Sequence, residues 1–457
     1  MTSPTEPGRS RSGRTIATIA IVSGTFMSVL SSTVLNVPIA AIARDLHVSI
    51  ADASLLVTSQ AITFATLLPL GDWVGNRVGR RNVYCTVIAT YGVTGIVGAL
   101  APNLAVLVAV RIVQGAAAAA IVPLVMTLLA ELYDPSERPL ALSAWATANS
   151  AGQALGPPLG GVLTSLFGWR SIFLPTPLIA AFACLVAWRY LPADIPRTLP
   201  LEWRGAGTLT LGAFLLLAAF TAIPQLGIQS PFVALIAVAG CACTAAFVWI
   251  IRTSEHPFVS PQAFRERSYL TSCIGVFGAT TAFSSALLAI PLYLTQALSV
   301  PLASAGFITL TLPLAMALIA PFSSVLVRRY GSGRTMQLGL LALAAATAAI
   351  ALAVNSRFGV IALFPAMVLI GAALASQYTA GAVGTTHSAA GRYGAGIGFF
   401  NLLRIGGAAA GPALVAIVLQ HDAAAYAEVF GISCALVLVA FAATVAVEAR
   451  QVIAKPT

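Results

Sequence analysis

Residues 104–130 read LAVLVAVRIVQGAAAAAIVPLVMTLLA, and residues 141–166, after a short polar turn, read ALSAWATANSAGQALGPPLGGVLTSL. Each run is long enough to supply the ~20 apolar residues that cross a bilayer as a helix. The first nevertheless carries Arg111 and Gln114, and the second carries Gly156-Pro157-Pro158-Leu159-Gly160-Gly161. A charge and a helix-breaking run are both costly against hydrocarbon, so these two helices are read as inward-facing parts of a bundle rather than passive anchors.

The rest of the chain has the same character. Of 457 residues, 58% are hydrophobic and 8% are charged, against about 25% charged in soluble domains, so the composition is that of an all-α polytopic membrane protein. The net charge of +10 sits in short loops and does not call for nucleic acid; the expected partners are the lipid bilayer and a small molecule. All six cysteines fall in apolar runs and are read as small packing residues. The four histidines stand singly in loops, and no metal site is legible.

A hydropathy pass yields fourteen candidate spans, beginning with 15–40, 53–71, 82–100, 104–130, 141–166 and 171–191 and including 303–326 and 335–354. Residues 1–14 form a polar, basic tail, and the run behind it is too long for a cleaved signal. With that tail inside, basic residues fall on the same side except Arg44, Arg170 and Arg357, opposite, and Arg111 and Arg404, within spans. The positive-inside rule thus sets both termini in the cytoplasm.

The chain also repeats weakly. Arg77-Val78-Gly79-Arg80-Arg81 after the second span is echoed by Arg328-Arg329-Tyr330-Gly331-Ser332-Gly333-Arg334 after the tenth, and Gly156-Pro157 by Gly411-Pro412. This divides the chain into six-helix halves at 15–191 and 269–448. Linkers and a two-helix insert, about 206–223 and 232–251, occupy 192–268, and 449–457 forms a tail.

Several residues are candidates for function, each with a plainer alternative. Arg111 lies seven residues into its span, with Gln114 near the same face; together they form a polar relay, or Arg111 ties helices through carbonyls. Arg404, near Asn401, admits the same two readings. Ala148, Gly152, Gly156 and Gly160 recur every fourth residue, a close-approach face that belongs either to a helix moving at a repeat interface or to ordinary small-residue packing. Pro157, Pro158 and Gly161 add freedom to bend. Ser31 and Asn36 in the first span, and Asn149 and Gln153 in the fifth, either line a substrate cavity or bond between helices. The stretch from Gly71 to Arg81, containing Asp72, Arg77, Gly79, Arg80 and Arg81, is expected to be a loop whose arginines fix topology, with Asp72 as a nearby partner.

Taken together, these motifs resemble the major facilitator superfamily, and within it the fourteen-helix drug:proton antiporter branch, over nearly the whole chain. Arg77-Val78-Gly79-Arg80-Arg81 is similar to the loop motif between spans two and three, Arg111-x-x-Gln114-Gly115 to the span-four motif associated with proton transfer, and Gly152-x-x-x-Gly156-Pro157-Pro158-x-Gly160-Gly161 to the antiporter signature of span five. The resemblance implies a monomeric exporter of hydrophobic small molecules in a bacterial inner membrane. It would work by alternating access, without a cofactor, on the proton gradient, and not as an enzyme. The chain departs from the pattern at Ser31 and Asn76, where the branch carries acidic residues, and none of its fourteen acidic residues lies deep in a span. A transporter of anionic or neutral metabolites with weak or no proton coupling is therefore the second expectation.

Overall fold

The computed structural model describes residues 11–191, 202–254, 266–354, 359–386, 393–422 and 425–453, and the regular elements among them are all helical. The chain forms two compact units, Met1–Leu201 and Glu202–Thr457. Among the described residues, eleven helical stretches are long and apolar enough to cross a membrane. Their outward faces keep large apolar side chains exposed, as at Leu235, Val238 and Trp249. In water such a surface would aggregate, whereas in hydrocarbon it is matched to its solvent, and the chain is a multi-pass membrane protein.

In the first unit, α1 (Arg11–Thr33) passes through a 3-10 turn, Val34–Asn36, into the short α2 (Ile39–Asp45). Helix α3 (Ile50–Leu67) continues through a second such turn into α4 (Gly71–Val78), followed by α5 (Arg80–Ala99), α6 (Leu104–Leu132), α7 (Arg138–Phe167) and α8 (Pro175–Tyr190). Helix α1 is the hub, packing on α6, α7 and α8, while α3 lies against α6 and α5 joins α6 to α8. Helix ends follow local chemistry. Ser49 and Asn103 cap α3 and α6 by accepting from the amides of Asp52 and Val106, both at 3.0 Å, and Gly168 stops α7 at φ +79°.

Two sequence expectations are corrected here. The first helix stops at Thr33 rather than near residue 40, where the chain tightens into the 3-10 turn before Pro38, which has no amide to continue the ladder. Residues 71–81 are not a loop: the chain is helical through Val78, and Gly79, at φ +99°, makes the only break. The turn-like glycines serve packing instead. A Cβ on Gly71 would strike Ala119 and Ala120 of α6, and one on Gly75 would strike Leu124. Glycine there brings two backbones together rather than reversing the chain.

The second unit holds α9 (Trp203–Leu226), α10 (Pro231–Thr253), α11 (Arg267–Leu292), a π-turn Tyr293–Ala297, α12 (Leu302–Thr309), α13 (Thr311–Val354), α14 (Gly359–Thr386), α15 (Tyr393–His421) and α16 (Tyr426–Ile453). Here α11 is the hub, packed on α13, α14, α15 and α16. Helix α13 is two helices meeting at Gly331, φ +79° and ψ 167°, as the two separate spans expected there require. Helices α9 and α10 pair with each other, and Ala219, Ile223 and Val233 build a small core with Ala413 of α15.

Candidate functional site

Arg111 is wholly buried and its hydrogen bonds join three helices. Its Nε donates to the Leu56 carbonyl of α3 at 3.0 Å, and Nη1 donates to the Ser31 carbonyl and hydroxyl of α1 at 3.1 and 3.2 Å and to Oε1 of Gln114 at 2.9 Å. Tyr91 of α5 brings its hydroxyl beside Ser31 and Arg111 and accepts from Gln60 Nε2 at 2.9 Å. The network therefore runs through α1, α3, α5 and α6. It contains a full positive charge and no carboxylate. Arg111 Nη2 and Gln114 Nε2, both buried donors, find no acceptor among the described residues, an expensive arrangement unless something occupies them during function. Ser31, expected at a cavity wall, is thus a direct partner of Arg111. The side chain of Asn36 lies outside the described residues.

Helix α7 presents its small face to α1. A Cβ on Gly152 would come within 3.0 Å of the Phe26 carbonyl and of Val29, one on Gly156 would fall on Thr33, and one on Gly160 on the Val34 carbonyl. Thr33 Oγ1 crosses the seam to the Gly152 carbonyl at 3.0 Å. Gly161 lies off this seam, with Val37 at ordinary contact distance, 3.8 Å. The helix continues through Pro157 and Pro158. Asn149, buried, and Gln153 pair along α7 at 2.7 Å.

The arginine-rich motif lies at one end of this unit, between α4 and α5. Arg80 forms an ion pair with Glu131 of α6 and donates to Asn76 Oδ1 at 2.7 Å, so an amide oxygen fills the place where the resemblance expects a carboxylate. Arg81 reaches the Leu191 carbonyl at 3.1 Å and stacks 4.6 Å over Trp188, and Arg77 lies 5.6 Å over Trp73. The side chain of Asp72 lies outside the described residues. Sequence reasoning missed Glu131 as the acidic partner. The legible signal was an acidic residue at the end of the fourth span, level with the start of the third in an antiparallel bundle.

At the end of α2, Asp45 accepts from Trp169 Nε1 at 2.9 Å and from Arg170 Nη1 at 2.8 Å. These two bonds, the indole first, hold its carboxyl below the usual aspartate range.

In the second unit, Asn401 is fully buried. Its Nδ2 donates to the Ile397 carbonyl at 3.0 Å, and its Oδ1 accepts from Arg404 Nε at 3.1 Å. The guanidinium of Arg404 lies 5.3 Å over the ring of Tyr378 on α14. Across the α11–α15 seam, Ser284 and Ser285 donate to the carbonyls of Gly407 and Gly411, each at 3.3 Å.

Two helical units, each hung on a central helix, with a buried guanidinium and a glycine seam in the first, define a membrane transporter scaffold. The major facilitator superfamily model matches residues 21–204 and 272–455, and the chain belongs to that family. It is 28% identical over 284 residues to a multidrug export protein, EmrB, of Haemophilus influenzae, over 62% of this chain and 56% of that protein. It is 28% identical over 440 residues to the puromycin resistance protein of Streptomyces alboniger, over 91% of this chain and 84% of that one. The crystal structure of the human organic anion transporter MFSD10 shares the fold, with TM-score 0.68 and 19% identity, over 97% of this chain and all of that one.

Proposed function

We propose that this chain is an efflux transporter that exports hydrophobic small molecules, drugs or antibiotics among them, by alternating access in a bacterial inner membrane. It works as a monomer with fourteen spans and both termini cytoplasmic, and without a cofactor. The observation that carries the reading is the Arg111–Gln114–Ser31 network on the fourth and first spans. It sits in a chain whose relatives are named for multidrug export and puromycin resistance. The α1–α7 seam supports movement, because backbones in close contact slide and tilt with few side chains to rearrange. Arg111 and Gln114 act as a polar relay, and the proton gradient supplies the energy. In a pump-deficient host, the wild-type chain is expected to lower drug accumulation, and Arg111→Ala to abolish this at equal membrane abundance. Wild-type export by that variant would overturn the relay.

One observation favours a second reading. The three ion pairs among the described residues, Arg14–Glu137, Arg80–Glu131 and Arg170–Asp45, all lie at helix ends. No carboxylate is buried among the described residues, so on this reading coupling to protons is weak or absent, and anionic or neutral metabolites become cargo. Collapsing the pH gradient separates the two: export that survives collapse selects the second reading.

A further inference from the structure

Arg404 stands within α15, and its contacts with Asn401 and Tyr378 hold the guanidinium without supplying a negative charge. Asn401 Oδ1 takes the Nε proton at 3.1 Å, and Asn401 is itself fixed by its bond to the Ile397 carbonyl. The guanidinium lies over the Tyr378 ring, 5.3 Å from its centroid, and Tyr378 is buried. One edge of the guanidinium is used for positioning, while its Nη1 and Nη2 make no hydrogen bond or ion pair to a described residue. That remaining fork is the part of arginine that fits a carboxylate or a phosphate through two parallel bonds. An aromatic face beneath a cation also offers a surface to a flat apolar body. Arg111 in the other unit differs, since its Nη1 is spent on Ser31 and Gln114 and only its Nη2 is without an acceptor among the described residues.

A guanidinium in a low-dielectric span is costly to hold uncompensated, and natural chains keep such charges where a counter-charge completes them. Asp and Glu do not supply that charge to Arg404 among the described residues. We propose that Arg404 is a substrate-binding residue, positioned by Asn401 and Tyr378 to receive the anionic group of an organic anion, and that the preferred cargo of this chain carries a negative charge. This rests on the efflux reading above and narrows it to a class of substrate.

The test uses three probes with one aromatic body: 1-pyrenebutyrate, 1-pyrenemethylammonium and 1-pyrenemethanol. Binding to the purified full chain is read by energy transfer from its six tryptophans, and transport by counterflow in proteoliposomes. The wild-type chain is expected to bind the carboxylate more tightly than the alcohol or the ammonium. Arg404→Gln is expected to weaken the carboxylate by roughly 10- to 100-fold, the scale of a charge-assisted hydrogen bond, while leaving the alcohol unchanged. That unchanged alcohol also shows that the variant is folded. Arg404→Lys, which keeps the charge but loses the fork, is expected to fall between the two, and it decides the matter if Arg404→Gln does not fold.

Equal or tighter binding of the ammonium, or equal losses for all three probes, overturns the proposal. Running the titrations in chloride and in gluconate separates organic from inorganic anions: an Arg404-dependent effect of chloride with no preference for the carboxylate would make a halide the occupant and overturn it too. A carboxylate preference without counterflow of any probe would leave the anion site standing and sink the efflux reading. Counterflow without an Arg404-dependent preference does the reverse.

Discussion

Helices α6 and α14 occupy comparable places in their units, and Gly115 and Gly371 mark the register between them. A Cβ on Gly115 would meet Gln60 and Thr63 of α3, and one on Gly371 would meet Leu312, Ala315 and Met316 of α13. In this register Arg111 corresponds to Met367 and Gln114 to Ile370, all four fully buried. The backbone approach is therefore kept in both units, while the chemistry is present in one. One end of each unit differs in the same way. The first unit is tied by Asp45, Trp169 and Arg170, and the second by Tyr293 against Tyr426, 5.4 Å apart, with Tyr426 donating to Gln296 at 2.8 Å. Duplicated steric contacts hold the fold, and unshared polar groups mark what each unit does with it.

Exchanging the paired residues gives the sharpest way to break this comparison. Met367→Arg would put a charge where no carbonyl or hydroxyl has been arranged to receive it. The expected cost is about 2.5–3.5 kcal/mol, as for an arginine at a helix centre, read as loss of folded protein in the membrane. Normal accumulation would show that α14 already holds a hidden polar site and would erase the contrast with α6.

The glycine seams should respond alike in the two units. Gly156→Val and Gly411→Val each drive side-chain atoms into a neighbouring helix, Thr33 in one case and Ser284 and Ser285 in the other. Overpacking of this kind costs about 1–3 kcal/mol, read as a lower melting temperature in detergent. Gly161→Ala, off the seam, is expected to stay within about 0.5 kcal/mol of wild type. Destabilisation at Gly411 without destabilisation at Gly156 would break the equivalence.

Smaller still is the effect at Gly79 and Gly331, which hold φ +99° and +79° at matching breaks in the chain. Alanine at either position pays for a left-handed backbone, about 1–2 kcal/mol, and the two melting shifts should agree.

The smallest effect is a pH dependence confined to the first unit. Because the Asp45 carboxyl sits below its usual range, held by the Trp169 indole and then by Arg170, its contribution is fully present above the ordinary aspartate value, about 3.9. It is lost as pH falls through the lower folded value. Melting curves of wild type and Asp45→Asn should differ at neutral pH and converge in acid. The tyrosine tie of the second unit should show no matching step, and a gap that persists in acid would remove Asp45 from the cause.

Much of this was legible from residue order alone, since each span must satisfy its own backbone hydrogen bonds in lipid and so announces itself as a local apolar run. The four-residue spacing of Gly152, Gly156 and Gly160 likewise disclosed a close-packed face. The stretch 71–81 was misread because a glycine that bends the chain and one that admits a neighbour are the same letter. Gly71 and Gly75 stay helical against α6, whereas Gly79 takes φ +99° and breaks the helix.

What the sequence determined by itself is the succession of helices, the doubled arrangement and the residues that carry unusual chemistry in spans. What only the tertiary structure decided is which groups meet: Ser31 and Leu56 with Arg111, Glu131 with Arg80, and Tyr378 beneath Arg404. The reason is one of range. Helix formation in a membrane is fixed by neighbours a few positions away, whereas the partner of a buried charge is chosen by packing between helices far apart in sequence.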